Sequence, residues 1–246
     1  MDSLRIIRIP IFPFDMVNAY LVVTRKGCIL VDTGLPGSEV KVTKTLEKHG
    51  LTLKELKLVV VTHAHIDHAG SAARLRELSG TPIIGHEGDI QYYVGEKKMT
   101  YCSTGWAGSL FLKTPVPHEP YTAFKPDILL SDGAAFDLDR YGIAGRIKRS
   151  PGHTAGSISL ELGSKDALVG DLVASGILIG GIIRKGRAIR SPFEDDPQAV
   201  ASEPKRLLDA GFERFHIGHG GPLDAEAVRR HVRRLMVVKR GAPSVN

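Results

Sequence analysis

The residues that organise this chain are Thr62-His63-Ala64-His65-Ile66-Asp67-His68-Ala69-Gly70. They follow Leu58-Val59-Val60-Val61, an apolar run that is short and mostly β-branched and therefore predicts a buried strand. From Ala69 to Leu75 the sequence opens a helical pattern. The polar side chains between these two elements thus lie on a loop that rigid structure holds at both ends.

This loop carries four side chains that can ligate a metal ion: His63, His65, Asp67 and His68. Imidazole and carboxylate ligands without thiolate suit zinc, and they also suit iron or manganese. The alternative is a surface loop that happens to be rich in histidine. We favour a metal site because four donors in the pattern H-x-H-x-D-H seldom arise by chance.

Three further candidate ligands follow later strands. His153 stands in Pro-Gly-His-Thr-Ala-Gly-Ser, Asp171 in Gly-Asp-Leu and His219 in Gly-His-Gly. Each of them comes where a predicted strand has ended, as the first motif does. The glycines beside His219 permit the backbone to approach a metal ion or a substrate closely.

Composition indicates a globular enzyme-sized protein. The chain has 246 residues, 42% of them hydrophobic, and it shows neither internal repeats nor a clear linker. We therefore predict a single domain over residues 1–246. No apolar run approaches a membrane span, and the N-terminus lacks the basic and apolar regions of a signal peptide. Two scattered cysteines, Cys28 and Cys102, favour a reducing, cytoplasmic location over a disulfide framework.

The formal charge of +6 and the isoelectric point near 9.3 raise the question of an acidic partner. Basic residues concentrate near the C-terminus, at Arg229, Arg230, Arg233, Arg234, Lys239 and Arg240. Val228, Val232, Leu235 and Met236 interleave with them as the apolar stripe of a helix, and no aromatic residues accompany the charges. We interpret this region as the solvated face of a helix and predict a small-molecule substrate, with no nucleic acid or membrane partner.

The order of elements favours two sheets packed face to face with helices outside, an α/β arrangement that buries both sheets. Strands are predicted over residues 4–9, 18–24, 27–32, 58–61, 82–85, 128–130, 134–138, 144–150, 157–162, 167–169 and 214–217. Helices are predicted over residues 38–49, 70–79 and 197–210, and again through the C-terminal apolar stripe.

Two irregular segments are candidates for the substrate pocket. The stretch between the first two strands is apolar, and its two prolines argue against an ordinary strand. Residues 86–126 lose periodicity and hold about half of the aromatic residues of the chain. We predict a lid or pocket wall there, with a satellite core or a homodimer contact as the alternative. The predicted substrate contacts are Phe12, Phe14, Met16 and Trp106.

Taken together, these motifs resemble the metallo-β-lactamase superfamily of hydrolases. The turn Val31-Asp32-Thr33-Gly34 fits the family too, and all five motifs occur in the family's order between residues 32 and 219. The resemblance implies a four-layer αββα sandwich with its site at one edge, between the two sheets. It also implies that Asp32 is a hydrogen-bonding residue below the site and not a ligand.

The resemblance implies a centre of two divalent metal ions, with zinc expected first and iron or manganese as alternatives. Carried over motif by motif, the ligands are His63, His65 and His153 for one ion, Asp67, His68 and His219 for the other, and Asp171 as the bridge. The remaining histidines match no motif and are interpreted as non-ligands: His49, His86, His118, His216 and His231.

Such a centre predicts hydrolysis without a covalent nucleophile. Two divalent cations about 3.5 to 4 Å apart can share a water and lower its pKa from 15.7 toward neutrality, which supplies hydroxide at pH 7. Asp67 would then carry a proton to the leaving group. We expect attack on the carbonyl of an ester, lactone or thioester, with Lys185, Arg187 or Arg190 as candidate anchors for an anionic group.

Family members differ in ways that narrow the activity. The β-lactamases of the family replace or lack the bridging aspartate, which is present here as Asp171, and the RNA-processing nucleases carry extra segments that this chain lacks. Too few residues follow His219 for the helical domain of a glyoxalase II. Acyl-homoserine lactonases usually have a tyrosine three residues after the bridging aspartate. This chain has Ala174 at that position, which weakens a lactonase assignment. A persulfide dioxygenase with one iron remains the alternative from another reaction class.

Overall fold

The computed structural model describes residues 4–176 and 183–240, so the ends of the predicted domain and residues 177–182 lie outside the description. Six strands form the first sheet in chain order: β1 (Arg5–Phe12), β2 (Val17–Thr24), β3 (Gly27–Val31), β4 (Leu56–Val60), β5 (Ile83–His86) and β6 (Ile128–Leu130). The pairs β1–β2 and β2–β3 are antiparallel, whereas β3 to β6 run parallel.

The prediction that prolines end the first strand at residue 9 is wrong. Strand β1 continues through Pro10 to Phe12, with an irregularity in its register between these two residues. Because β1 is the edge strand of its sheet, Pro10 can lack an amide hydrogen without breaking a ladder on both sides. Ile11, expected in a loop, is buried in the core as a result.

The second sheet follows in the second half of the chain. Its strands are β7 (Ala135–Asp137), β8 (Gly145–Arg149), β9 (Ile158–Leu162), β10 (Asp166–Leu168), β13 (Arg214–His216) and β14 (Leu223–Asp224), in the spatial order β14-β13-β10-β9-β8-β7. A separate antiparallel pair consists of β11 (Ala174–Ser175) and β12 (Ala188–Ile189).

The helices lie between these strands. They are α1 (Glu39–Lys48), α2 (Ile66–Ala69), α3 (Ala72–Ser79), α4 (Ile90–Tyr93), α5 (Trp106–Phe111), α6 (Pro197–Asp209) and α7 (Ala225–Arg240). Short 3₁₀ turns occur at Pro13–Asp15, Leu53–Glu55, Glu87–Asp89, Val116–His118 and Asp139–Tyr141. Of the helices in the described ranges, none is long and apolar enough to cross a membrane.

Side-chain alternation in the strands builds the layers. Leu58 and Val60 of β4 face the second sheet, where they meet Leu160 of β9 in the core between the sheets. Val59 and Val61 point the opposite way, into a second core under the helices. The strand is therefore apolar on both faces, as the unbroken run of hydrophobic residues predicts.

Helices cover the outer face of each sheet. Val42 of α1 and Leu75 of α3 pack in the core outside the first sheet, while Leu207 of α6 and Val228 of α7 join the core outside the second. The layers run helix, sheet, sheet, helix, which confirms the predicted αββα sandwich. Both sheets thus bury both faces, and polar side chains collect where the strands end.

Replacing Leu58 with alanine should lower the free energy of unfolding by about 2 to 5 kcal/mol, because it leaves a cavity in the core between the sheets. Leu58 is fully buried, whereas Leu129 of β6 in the same sheet is 42% exposed. Leu129→Ala is the matched control, and it should shift the midpoint of urea unfolding far less. Equal shifts for the two variants would contradict the assignment of Leu58 to the inter-sheet core.

Candidate metal centre

The seven predicted ligands come together at one edge of the two sheets. His63 and His65 lie on the loop after β4, and Asp67 and His68 lie on α2. The other three follow β8, β10 and β13, and they are His153, Asp171 and His219. Six of the seven residues are less than 9% exposed, and the side chain of Asp67 is 23% exposed.

Helix α2 was not predicted, and it decides where two of these ligands point. The predicted helix over residues 70–79 corresponds to α3, whereas α2 precedes it and Gly70 lies between the two helices. A Cβ atom at Gly70 would overlap the Ile66 carbonyl and the ring of Pro36. The glycine therefore permits the close approach of backbone that sets α2 over the strand ends.

The first cluster contains three imidazoles. His65 Nδ1 lies 3.1 Å from His63 Nε2 and 3.0 Å from His153 Nε2. Burial lowers the pKa of all three rings, so they are neutral at pH 7 and offer lone pairs. Three neutral ring nitrogens that converge on one point form a donor set for a divalent cation.

The second cluster mixes carboxylate and imidazole ligands. Asp67 Oδ2 lies 3.3 Å from His219 Nε2 and 3.9 Å from His68 Nε2. Asp171 stands between the two clusters, with Oδ2 2.9 Å from His219 Nε2 and 3.6 Å from His153 Nε2. This is the position that a bridging carboxylate requires.

Unsatisfied polar atoms test whether metal ions fit this site. His68 Nε2 and Asp171 Oδ1 are buried and lie 3.4 Å apart, yet neither makes a hydrogen bond to a described residue. A buried polar atom left without a partner costs about 1–3 kcal/mol. Although burial acts in the opposite direction, the Asp171 carboxylate raises the pKa of His219 to about 10, which shows how strongly this edge attracts positive charge. The residues therefore fit a pair of divalent cations.

Hydrogen bonds to the opposite ring nitrogens orient three of the histidines. His68 Nδ1 lies 2.8 Å from Asp32 Oδ2, His153 Nδ1 lies 2.7 Å from the Phe193 carbonyl, and His219 Nδ1 contacts the Met16 carbonyl. Each bond would fix the tautomer that presents Nε2 to a metal ion once the ion replaces any proton on that nitrogen. Asp32 also accepts from the amide and hydroxyl of Thr62, so it makes the hydrogen bonds expected of it.

Asp89 supports the site, and no motif in the sequence pointed to it. Its buried carboxylate accepts from Ala64 N at 3.0 Å, Thr154 Oγ1 at 2.9 Å and Gly156 N at 2.8 Å. Burial raises the pKa of Asp89. The residue joins the loop that carries His63 to the loop that carries His153, which keeps the first cluster together.

Strand β2 supplies two more supporting residues that sequence reasoning missed. Asn18 Nδ2 donates to the carbonyls of Gly218 at 3.2 Å and Gly220 at 3.0 Å, and the Tyr20 hydroxyl donates to the Ile217 carbonyl at 2.7 Å. These three carbonyls belong to the loop around His219. An alternating Asn-x-Tyr in an otherwise apolar strand was the only available signal.

A cleft of about 500 Å³ opens onto the ligands. Its walls are mostly apolar: Phe12, Met16, Val17, Leu35, Pro36, Ile66, Tyr101, Phe111, Val116, Pro117, Pro192 and Phe193. Phe12 and Met16 were predicted substrate contacts and line the cleft. Phe14 and Trp106 do not line it, and they are 59% and 82% exposed. These two residues are therefore not part of the cleft wall.

The segment 86–126 forms one wall of the cleft. The ring of Tyr101 packs on His65 with centroids 4.8 Å apart, and the Tyr121 hydroxyl donates to the Ala64 carbonyl at 3.0 Å. Phe193, from a loop before α6, packs against Tyr101 at 4.9 Å. The segment 86–126 thus directly contacts the loop that carries His63 and His65. Its part in a homodimer stays a prediction.

The three basic residues suggested as anion anchors lie outside the cleft. Lys185 pairs with Asp15 at 2.7 Å, and Arg190 pairs with Glu194. Arg187 lies in a separate groove beside α7. In the described part of the chain, Glu119 is the one charged side chain that lines the cleft besides the candidate ligands, so this cleft suits an apolar group better than an anionic one.

Comparison with curated proteins identifies relatives. The chain is 26% identical over 212 residues to the probable metallo-hydrolase YflN of Bacillus subtilis, a match that covers 82% of this chain and 78% of that protein. It is 29% identical over 143 residues to the probable metallo-hydrolase MJ0888 of Methanocaldococcus jannaschii. That second match covers 58% of this chain and 61% of the relative.

Among solved structures, the metallo-beta-lactamase family protein TTHA1429 of Thermus thermophilus shares the fold. Its TM-score is 0.66 at 23% identity, and the match covers 96% of this chain and 79% of that one. The family model of the metallo-beta-lactamase superfamily matches residues 12–219, which include all seven predicted ligands. The chain therefore belongs to the metallo-beta-lactamase superfamily.

Proposed function

We propose that this protein is a hydrolase that binds two divalent metal ions, most suitably zinc, and cleaves an ester, lactone or thioester with an apolar acyl part. The observation that supports this most directly is the convergence of seven side chains that could hold metal ions, four of which line an apolar cleft: His65, Asp67, Asp171 and His219. Metal ions bound there would polarise the substrate carbonyl and lower the pKa of a water toward neutrality. The family places the chain among metallo-hydrolases.

The lining of the cleft favours attack by water. In the described part of the chain, no serine, cysteine or lysine side chain lines the cleft, so none is placed to form a covalent intermediate. Asp67 is the ligand most exposed to the cleft. Its carboxylate is placed to take the proton from the attacking water and deliver it to the leaving group.

The apolar walls determine which substrates fit. A cleft of about 500 Å³ has the size of a small-molecule site. Phe12 approaches it from the end of β1 and Met16 from the connection between β1 and β2, while Phe111 and Val116 approach it from the segment 86–126. These walls would hold an acyl or aromatic group and exclude water from it, while the carbonyl lies toward the ligands.

Asp67→Asn tests the proton carrier. The amide keeps the shape of the side chain but cannot carry a proton, so kcat should fall by about 10² to 10⁴ on an activated ester. Glu119→Gln removes a carboxylate that lines the same cleft without belonging to either cluster, and it should leave kcat within about threefold. Metal content is measured in both variants, and an Asp67→Asn enzyme with two ions and normal turnover would exclude the role assigned to Asp67.

A series of esters of increasing acyl length tests the apolar wall. Each buried methylene contributes about 0.8 kcal/mol, so kcat/KM should rise by up to about fourfold for each added carbon. Phe12→Ala should flatten this dependence because Phe12 lines the cleft.

Phe14→Ala is the matched control for the series, because Phe14 lies two residues away, is also exposed, and does not line the cleft. It should leave the dependence on chain length unchanged. A flat series in the wild-type enzyme, or equal effects of the two variants, would contradict an acyl-binding wall that includes Phe12.

A further inference from the structure

A second groove lies beside α7, apart from the metal centre. It has a volume of about 680 Å³, and its lining shares no residue with that of the catalytic cleft. We call it the arginine groove, and it is lined by Arg184, Gly186, Arg187, Ala188, Ala227, Arg230, Arg233 and Arg234. Five of these eight residues are arginines.

Two separate elements bring the arginines together. Arg230, Arg233 and Arg234 occupy positions i, i+3 and i+4 of α7, so they share one face of the helix. Arg184 and Arg187 come from the chain that leads into β12. The positive charges therefore meet across a concave surface, which differs from the single solvated helix face that we inferred from the sequence.

Few carboxylates neutralise this cluster. Glu226 is shared by Arg230 at 3.3 Å and Arg233 at 3.4 Å, and it also pairs with Arg229 at 3.0 Å. Within the described ranges, no carboxylate lies within salt-bridge distance of Arg184, Arg187 or Arg234. Like charges held around a groove create a positive potential there, and an anion would relieve their repulsion.

The geometry of the groove also favours a defined ligand. The Arg234 guanidinium donates to the Ala188 carbonyl at 2.9 Å, which ties α7 to β12 and holds this side chain in place. Gly186, Ala188 and Ala227 keep the surface between the arginines free of bulky side chains. An anion can therefore approach several guanidinium groups at once.

We propose that the arginine groove binds a small anion carrying two or more phosphate groups. Guanidinium groups bind phosphate oxygens through paired, charge-assisted hydrogen bonds, and several arginines on two walls match several phosphates. The volume is that of a small-molecule site. No aromatic side chain is among the described residues that line the groove, so it lacks the stacking surfaces by which proteins hold single-stranded nucleic acid.

Calorimetric titration of the metal-loaded protein with inorganic tripolyphosphate, at fixed ionic strength, tests this proposal. We expect saturable binding at one site per chain. Arg187→Ala and Arg233→Ala should each weaken binding by about tenfold or more, because each removes charge-assisted hydrogen bonds. Arg233→Lys should fall between wild type and Arg233→Ala, since it keeps the charge but loses the planar fork.

Arg229→Ala is the matched control. Arg229 lies on the same helix and pairs with the same Glu226 as Arg233, yet it does not line the groove. It should change the affinity by less than about twofold.

Three results would overturn the proposal. Equal losses for Arg229→Ala and Arg233→Ala would indicate attraction by net charge alone. Affinity unchanged in Arg187→Ala and Arg233→Ala would place the ligand elsewhere, with the metal centre as the first candidate. Tighter binding of a single-stranded RNA oligonucleotide with the same dependence on arginine would identify a nucleic-acid surface instead.

Discussion

The fold depends on burying both faces of two sheets at once. Apolar side chains alternate to either side of strands such as β4, where Leu58 faces the other sheet and Val59 faces the helices. This leaves the buried faces of the sandwich largely apolar, although β9 carries the buried Ser159 and Glu161. The candidate metal ligands lie instead where the strands end, and at one edge the loops after β4, β8, β10 and β13 meet. The position of the candidate metal centre therefore depends on how the sheets pack.

The electrostatics of this edge follow from the same packing. Burial removes water from the imidazoles and carboxylates, so their lone pairs and charges must be satisfied by one another or by cations. Asp32 and Asp89 hold the ligand-bearing loops in place through hydrogen bonds of 2.8 to 3.0 Å. A site whose ligands are fixed in this way binds metal ions with little rearrangement of the chain.

The grouping of the seven candidate ligands and the layers of the fold were predictable because both depend on local pattern. The spacing within the H-x-H-x-D-H motif and the apolar periodicity can be recognised in the sequence without knowledge of tertiary contacts. The rest depended on tertiary position. Pro10 is tolerated because β1 is an edge strand, and Asp89 matters because two loops converge on it. Trp106 has the chemistry of a pocket residue but lies at the surface, since periodicity does not report which way an irregular segment turns.

The central claim is that this edge holds two metal ions with Asp171 between them. Elemental analysis of wild type and Asp171→Ala, combined with anomalous diffraction at the metal edge, measures this directly. The account predicts two ions per wild-type chain, one beside His153 and one beside His219, and a folded Asp171→Ala protein that loses metal and activity. A single iron with O₂-dependent turnover, or an Asp171→Ala protein that keeps two ions and normal activity, would contradict it.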